Sequence, residues 1–217
     1  MKKKALVCGD LTKTDWHPLS NIMEEIRQIL SPAFEVTFEE HFESLGAEGY
    51  ATYDLMICNI EYYLNKEQLW PHITHDLVTY VAGGGKILLP HVPSVNFAGE
   101  LAQMFGFRFR MHPPIYEVPF RVSDPDHPIV RGVEDFTIRE ERLQLVYDRH
   151  TPIQVFLEVE GPTGCTPAGW TAAFGLGQVV HLMPGHDVHT YRHPMFRKLF
   201  FNAACWLAGM TPEEGRE

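Results

Sequence analysis

The chain opens with an apolar run, Lys4–Cys8, that closes at Gly9-Asp10. From there short apolar runs alternate with stretches whose apolar residues fall three and four positions apart. Short runs bounded by turn residues read as strands, and three-and-four spacing reads as helix. Further strands are predicted at Phe34–Phe38, Tyr53–Cys58 and Lys86–Leu89. Leu19, Ile22, Met23, Ile26, Ile29 and Leu30 place a helix over Pro18–Leu30. A second helix is predicted over Lys66–Val81, ending at Gly83-Gly84-Gly85, where glycine leaves the backbone free to turn; Val95–Phe105 also has helical character. Such alternation predicts βαβ units on a mostly parallel sheet, hence the α/β class.

From Val118 the texture changes to short strands set off by Pro and Gly: Val118–Val122, Leu143–Tyr147, Val155–Val159, Ala168–Thr171 and Gln178–Met183. These are expected as added strands, partly antiparallel, on one edge of the sheet. A last helix, His193–Ala208, carries Phe196, Leu199, Phe200, Ala203, Ala204 and Leu207 on one face and stops at Gly209. Residues 1–210 are read as a single domain. Residues 211–217 are read as a polar tail, expected to be frayed.

Composition narrows the class. A chain of 217 residues can bury one α/β core. The basic start, Met-Lys-Lys-Lys, precedes an apolar run too short for a signal peptide, and no later stretch reaches the roughly 20 apolar residues of a membrane span. A soluble, cytoplasmic protein is expected. Cys8, Cys58, Cys165 and Cys205 form no CxxC pair; three of them sit inside apolar runs, and reduced, buried thiols are the natural reading. A net charge of −10 with no long basic stretch argues against nucleic acid or an anionic membrane as partner, because phosphate neutralisation needs clustered Lys and Arg. A small neutral or weakly polar ligand fits better. A homodimer is the default assembly at this size.

In open α/β sheets ligands bind beyond the carboxyl ends of the strands. The residues that follow the predicted strands are polar: Asp10 with the loop Asp15-Trp16-His17, then Asn59 and Glu61, then Pro90-His91, then Gly185-His186-Asp187. If the strands are parallel neighbours, these ends converge. His91 stands in the sharp turn where nucleophile-elbow enzymes expose Ser or Cys, and an imidazole there can act as base, acid or metal ligand, or simply cap the next helix. His186 is paired in sequence with Asp187, a candidate to orient it. His181, inside its strand, reads as a core residue, and His189 and His193 as loop or helix-cap positions.

Trp16 and Tyr62-Tyr63 could stack on a sugar ring or cover the core edge. His112 and His127 sit in proline-fixed loops, His112-Pro113-Pro114 and Asp126-His127-Pro128. Glu140-Glu141 precedes a strand and could place a carboxylate, Glu141, in the crevice, although a solvated turn is the preferred reading. There is no HExxH or HxH, so a divalent metal, a candidate cofactor, would need ligands such as His91, His186 and a carboxylate brought together from distant strand ends. No GxSxG, P-loop or dinucleotide fingerprint appears.

Taken in order, Asp15-Trp16-His17, Tyr53-Asp54-Leu55, Tyr80-Val81 followed by Gly83-Gly84-Gly85-Lys86-Ile87-Leu88-Leu89-Pro90-His91, Phe109 with His112-Pro113, Asp126-His127-Pro128-Ile129, Gly175-x-Gly177, and Gly185-His186-Asp187 resemble the ThuA-like (trehalose utilisation) family. The resemblance covers about Lys4 to Gly209. It implies a flavodoxin-like, three-layer fold of the class I glutamine amidotransferase-like superfamily and a link to trehalose and related disaccharides. It also implies no glutaminase activity, because Pro90-His91 stands where amidotransferases carry their cysteine. Two departures bear on the substrate: Glu140-Glu141-Arg142-Leu143 lacks the family's tyrosine, and Gly175-Leu176-Gly177-Gln178 replaces its Gly-Lys-Gly-Arg turn.

The favoured reading is an enzyme acting on a disaccharide or its keto derivative. It takes His91, His186, Asp187 and Glu141 as catalytic, and Asp10, Trp16, His17, Asn59, Glu61, His112 and His127 as ligand-binding. The alternative is a non-catalytic sugar-binding or regulatory subunit.

Overall fold

The computed structural model describes residues 2–11, 16–60, 70–91, 99–162 and 164–216. In its first half β1 (Lys3–Gly9), β2 (Phe34–Glu39), β3 (Leu55–Asn59) and β4 (Lys86–Pro90) are separated by α1 (Met23–Leu30), α2 (Gly46–Tyr50) and α3 (Trp70–Ala82). Then follow α4 (Gly99–Phe105), β5 (Phe107–Met111), β6 (Tyr116–Val122), β7 (Phe136–Glu140) and β8 (Gln144–Tyr147). The chain continues with β9 (Ile153–Gly161), β10 (Gly164–Phe174), β11 (Gly177–Leu182), α5 (Val188–Arg192) and α6 (Pro194–Leu207).

Among the described residues, nine strands form one sheet in the order β2-β1-β3-β4-β11-β10-β9-β6-β7, and β5 pairs with β8 in a separate ribbon. Strands β2, β1, β3, β4 and β11 are parallel. From β11 outward each strand is antiparallel to its neighbour. The expected parallel core and antiparallel edge are both present.

The core strands bury both faces. On β1, Ala5 and Val7 join one apolar cluster with Ile26 and Ile29 of α1 and Phe196, Leu199 and Phe200 of α6. Leu6 and Cys8 join the other, with Ile73, Leu77 and Val81 of α3 and Leu101, Met104 and Phe105 of α4. A strand covered on both sides has no polar face, which is why β3 and β4 read as unbroken apolar runs. Each fully buried Leu or Phe contributes roughly 1.5–3 kcal/mol relative to exposure, so this two-sided burial is what fixes the strand ends in place.

The elements missed by the sequence pattern are short or edge-bound. α2 and α5 span five residues each, too few for a helical stripe to show. β7, Phe-Thr-Ile-Arg-Glu, alternates buried and exposed positions on an edge strand, so Glu140 falls on the buried face with Phe136 and Ile138. The helix expected from Lys66 is described from Trp70, and that expected from Val95 is described from Gly99; residues 66–69 and 95–98 lie outside the described residues.

The tail expected to fray instead folds back through residue 216. Pro212 and Gly215 are buried, and Thr211 and Glu214 satisfy each other's main-chain N–H groups in a reciprocal cap. Cys8, Cys58 and Cys205 are buried and Cys165 is exposed, and none of the four is in a disulfide. Burial pushes the Cys58 thiol up to about 12. No helix among the described residues is long and apolar enough to cross a membrane.

Candidate functional site

Five chain segments meet at the carboxyl end of the parallel core. β1 leads to Asp10, whose carbonyl accepts the Leu19 N–H at 2.8 Å and so closes the loop that carries His17. β3 ends at Asn59, paired with Gly9, and the Asn59 amide donates to the His17 carbonyl at 3.4 Å. β4 ends at Pro90, β7 at Glu140, and β11 leads into Met183–His186.

His91 follows β4 in the left-handed region, φ 56°. This conformation is costly for a residue with a side chain and is held only where the surroundings determine it. Its N–H donates to the Leu182 carbonyl at 2.7 Å, extending the β4–β11 ladder by one rung. The imidazole, 2% exposed, points inward. Its Nδ1 lies 3.1 Å from the Met183 carbonyl, which can only accept, so Nδ1 carries a proton.

Nε2 of His91 faces Glu141 Oε2 at 3.3 Å. The same oxygen lies 3.5 Å from His186 Nδ1 and 3.9 Å from His17 Nε2. His17 Nε2 and His186 Nδ1 are themselves 2.8 Å apart. Outside this group, His112 at the rim brings its Nδ1 within 3.4 Å of the other Glu141 oxygen. Three imidazoles thus face one carboxylate oxygen, Glu141 Oε2. Among the described residues, this is the set of His, Cys, Asp and Glu whose donor atoms crowd closely enough to hold a metal.

Glu140 holds the arrangement together. It is fully buried; its Oε2 accepts the N–H groups of Gly185 (2.8 Å) and His186 (3.1 Å) and the Thr190 hydroxyl (2.9 Å), and its Oε1 accepts the Glu141 N–H (2.9 Å). Gly185, at φ 144°, gives the bend that brings both N–H groups to one oxygen.

Electrostatics follow from this packing. Burial opposes the His91 cation, but the hydrogen bond to Glu141 and the charges of Glu140 and Glu141 outweigh it, so its pKa rises above the ordinary value. Burial likewise opposes the Glu141 anion. Hydrogen bonds from His186 and His91 win, and hold it well below the usual carboxylate range. Each shift favours the charged form of its group, so the packing favours a carboxylate–imidazolium pairing between Glu141 and His91.

Beside the cluster, a cleft of about 320 Å³ is lined by Trp16, His17, Asn21, His186, Asp187 and Arg192 among others. Trp16, 55% exposed, forms one wall. A larger hollow of about 380 Å³ opens at the amino end of β4, beside Tyr53 and Tyr80, where Asp54 is already engaged by Lys3 and the Lys4 N–H. His17 and His186 of the cluster line the smaller one.

Several candidates land elsewhere or act differently. Asp187 does not face His186 as its orienting acid; its Oδ1 caps α5 by accepting from His189 and Thr190, and the carboxylate facing His186 belongs to Glu141. His127 caps the turn Pro128–Val130 and packs on Phe156 and Trp206, apart from the cluster. Glu140-Glu141, read as a solvated turn, is buried. Asp10 and Asn59 support the His17 loop from the strand ends. Glu61, Asp15 and Tyr62-Tyr63 lie outside the described residues. His181 is in the core and His193 caps α6, as expected. The clamp role of Glu140 has no motif of its own in the sequence; its signal is the Phe136-Thr137-Ile138-Arg139-Glu140 alternation, which marks it as inward-facing.

The family model described as trehalose utilisation, ThuA, matches residues 4–207. No curated protein sequence matches the chain. Among solved structures, a ThuA-like protein from Bacteroides uniformis superposes with a TM-score of 0.76 at 17% identity, over 97% of this chain and 94% of that one. A cytoplasmic protein from Salmonella typhimurium superposes with a TM-score of 0.69 at 15% identity, over 94% and 98%. A β-galactosidase from Bacillus circulans sp. alkalophilus matches with a TM-score of 0.62 at 13% identity, this chain covering 32% of that enzyme. At these identities the structural likeness is one of fold.

Proposed function

This chain belongs to the ThuA (trehalose utilisation) family, and on that premise we propose that it is an enzyme acting on a disaccharide such as trehalose, or on a keto form of one, at the cluster of His17, His91, Glu141 and His186. The observation that carries the reading is the convergence of these four side chains, from four separate segments, beside a cleft walled by Trp16. A sugar ring fits such a wall because its apolar face stacks on indole while its hydroxyls reach the polar groups opposite.

Glu141, held ionised, supplies a fixed negative charge in this reading, and the imidazoles accept and carry the proton. Glu140 is saturated by four donors, so it does not serve as the second carboxylate of a double-displacement glycosidase. The cluster suits proton removal next to a sugar carbonyl, or water-assisted cleavage, better than a two-carboxylate mechanism. Glutaminase chemistry has no place in this reading, since Cys8, Cys58 and Cys205 are buried in the apolar clusters and Cys165 lies on β10.

The fold belongs in the same reading as a flavodoxin-like, three-layer sandwich of the class I glutamine amidotransferase-like type. The parallel order β2-β1-β3-β4-β11 supports it, as do the two apolar clusters to which alternate β1 residues contribute. A cytoplasmic location is supported by the description of the Salmonella typhimurium relative as a cytoplasmic protein.

One observation favours a second reading, a sugar-binding subunit without turnover: His91 is almost fully buried, with both ring nitrogens already engaged. Prolonged incubation with trehalose and with a keto-disaccharide, followed by NMR, separates the two. Product formed by wild type and lost in Glu141→Gln supports the enzyme. Saturable binding with no product supports the subunit.

A further inference from the structure

We propose that His17, His91, Glu141 and His186 form a mononuclear site for a divalent transition metal, with Zn²⁺ the ion their chemistry suits best. Each residue brings one donor atom within 4.8 Å of the other three. Bonds of about 2.1 Å set at tetrahedral angles put neighbouring donors roughly 3.4 Å apart. The separations of 2.8 Å for His17–His186, 3.3 Å for His91–Glu141, 3.5 Å for His186–Glu141 and 3.9 Å for His17–Glu141 bracket that value. Three ring nitrogens thus crowd on a single oxygen, Glu141 Oε2. A cation at their centre would satisfy all four at once, which no set of pairwise hydrogen bonds to that oxygen does as fully.

The surroundings are those a metal site needs. Metal-bound histidines almost always donate their other ring N–H to a carbonyl or carboxylate, which fixes the tautomer. His91 does this: Nδ1 faces the Met183 carbonyl at 3.1 Å with Glu140 Oε1 behind it at 3.7 Å, leaving Nε2 toward the cluster. Glu140 anchors the main chain of both Glu141 and His186, and the β4–β11 ladder anchors that of His91. The Asn59 amide in turn donates to the His17 carbonyl at 3.4 Å. At the rim His112 Nδ1 lies 3.0 Å from the Pro113 carbonyl and 3.4 Å from the second Glu141 oxygen.

The donor set chooses the ion. Three imidazoles and one carboxylate, without thiolate, suit Zn²⁺ and its neighbours, whereas Mg²⁺ and Ca²⁺ favour all-oxygen shells. His17 and His186 also line the cleft, so a bound ion would meet a ligand oxygen there. Metal binding is measured without sugar, so its test does not rest on turnover; with the ion bound, these four side chains would serve as its ligands rather than carry protons.

The test uses tag-free full chain stripped of metal, titrated calorimetrically with Zn²⁺ and with Mg²⁺, and loaded with Co²⁺ for visible absorption. Wild type is expected to take one equivalent of Zn²⁺ per chain, at least about 100-fold more tightly than Mg²⁺, with ligand-field bands in the Co²⁺ form and a thermal midpoint raised by Zn²⁺. His17→Ala/His186→Ala should lose the tight equivalent. His72→Ala/His75→Ala, which removes two exposed histidines of α3, should keep it. Zn²⁺ uptake that is absent in wild type, unchanged in the first double variant, or abolished in the second would overturn the proposal. The wild-type titration and Co²⁺ spectrum do not depend on any variant folding.

Discussion

Oε1 of Glu140 accepts the main-chain N–H of Glu141 at 2.9 Å, so two neighbouring glutamates at the end of one strand divide the work of the site. The first turns inward and ties the end of β7 to the bend at Gly185-His186. The second presents its carboxylate to His17, His91 and His186. The position of Glu141 thus depends on the burial of Glu140.

Replacing Glu140 with Gln tests that dependence. The amide NH₂ cannot accept, so at least one buried donor among Gly185, His186, Thr190 and Glu141 loses its partner, at a cost of about 1–3 kcal/mol. The urea midpoint of Glu140→Gln should fall with an unchanged slope. An unchanged midpoint would mean the clamp contributes nothing.

Acid sensitivity should trace to His181. Its ring lies between Phe107 and Trp170, with centroids at 4.5 and 4.3 Å. Burial first, then the charge of His91, hold its pKa well below the ordinary value. The unfolded chain binds a proton near pH 6.5 that the folded chain refuses, so stability is present above that pH and is lost as pH falls, by up to about 1.4 kcal/mol per pH unit. His91 works in the other direction: with its pKa raised, its contribution is complete below about pH 6.5 and fades as pH rises through the folded value. Urea unfolding across this range should show a shallower acid loss in His181→Leu than in wild type. Parallel curves would contradict the assignment.

Glu25 joins α1 to α5 and α6 through Arg192 at 2.6 Å and Arg197 at 2.7 Å. The hydrogen bond from Arg192, followed by burial acting against it and then the bond from Arg197, leaves the carboxyl below its usual pKa. Its contribution is therefore present above about pH 4.3 and lost as pH falls further. Because Arg192 is largely exposed, Glu25→Gln should cost less than about 1 kcal/mol, and the difference should shrink in high salt. A cost that grows with salt would rule out the ionic origin.

Trp16 gives a prediction about ligand rather than stability. Trp16→Ala should raise KM for the sugar about tenfold, the worth of one stacked ring, while kcat changes little and the melting temperature holds. A fall in kcat with KM unchanged would place the sugar elsewhere.

The parallel core was legible because two-sided burial leaves a plain signature, the unbroken apolar runs of β3 and β4. His91, His186 and His17 were legible for a related reason: strand ends in such a sheet converge, and polar residues there are conspicuous. Their meeting was not, because His17 and His186 are 169 positions apart and no spacing rule links them. Glu140-Glu141 was read as a solvated turn because a pair of acids before a strand resembles one; only the alternation running through Phe136 and Ile138 shows that the first of them turns inward. Asp187 looked like the partner of His186 through adjacency, but consecutive residues diverge, and its carboxylate turns to the helix that begins beside it.

The most direct test is steady-state turnover of the sugar substrate by Glu141→Gln, set against Glu134→Gln on the exposed surface. A fall in kcat of about 10²–10⁴-fold in the first, with the second unchanged and both proteins folded, is the expected result. Turnover by Glu141→Gln within a few-fold of wild type would contradict the assignment of this cluster as the reacting site.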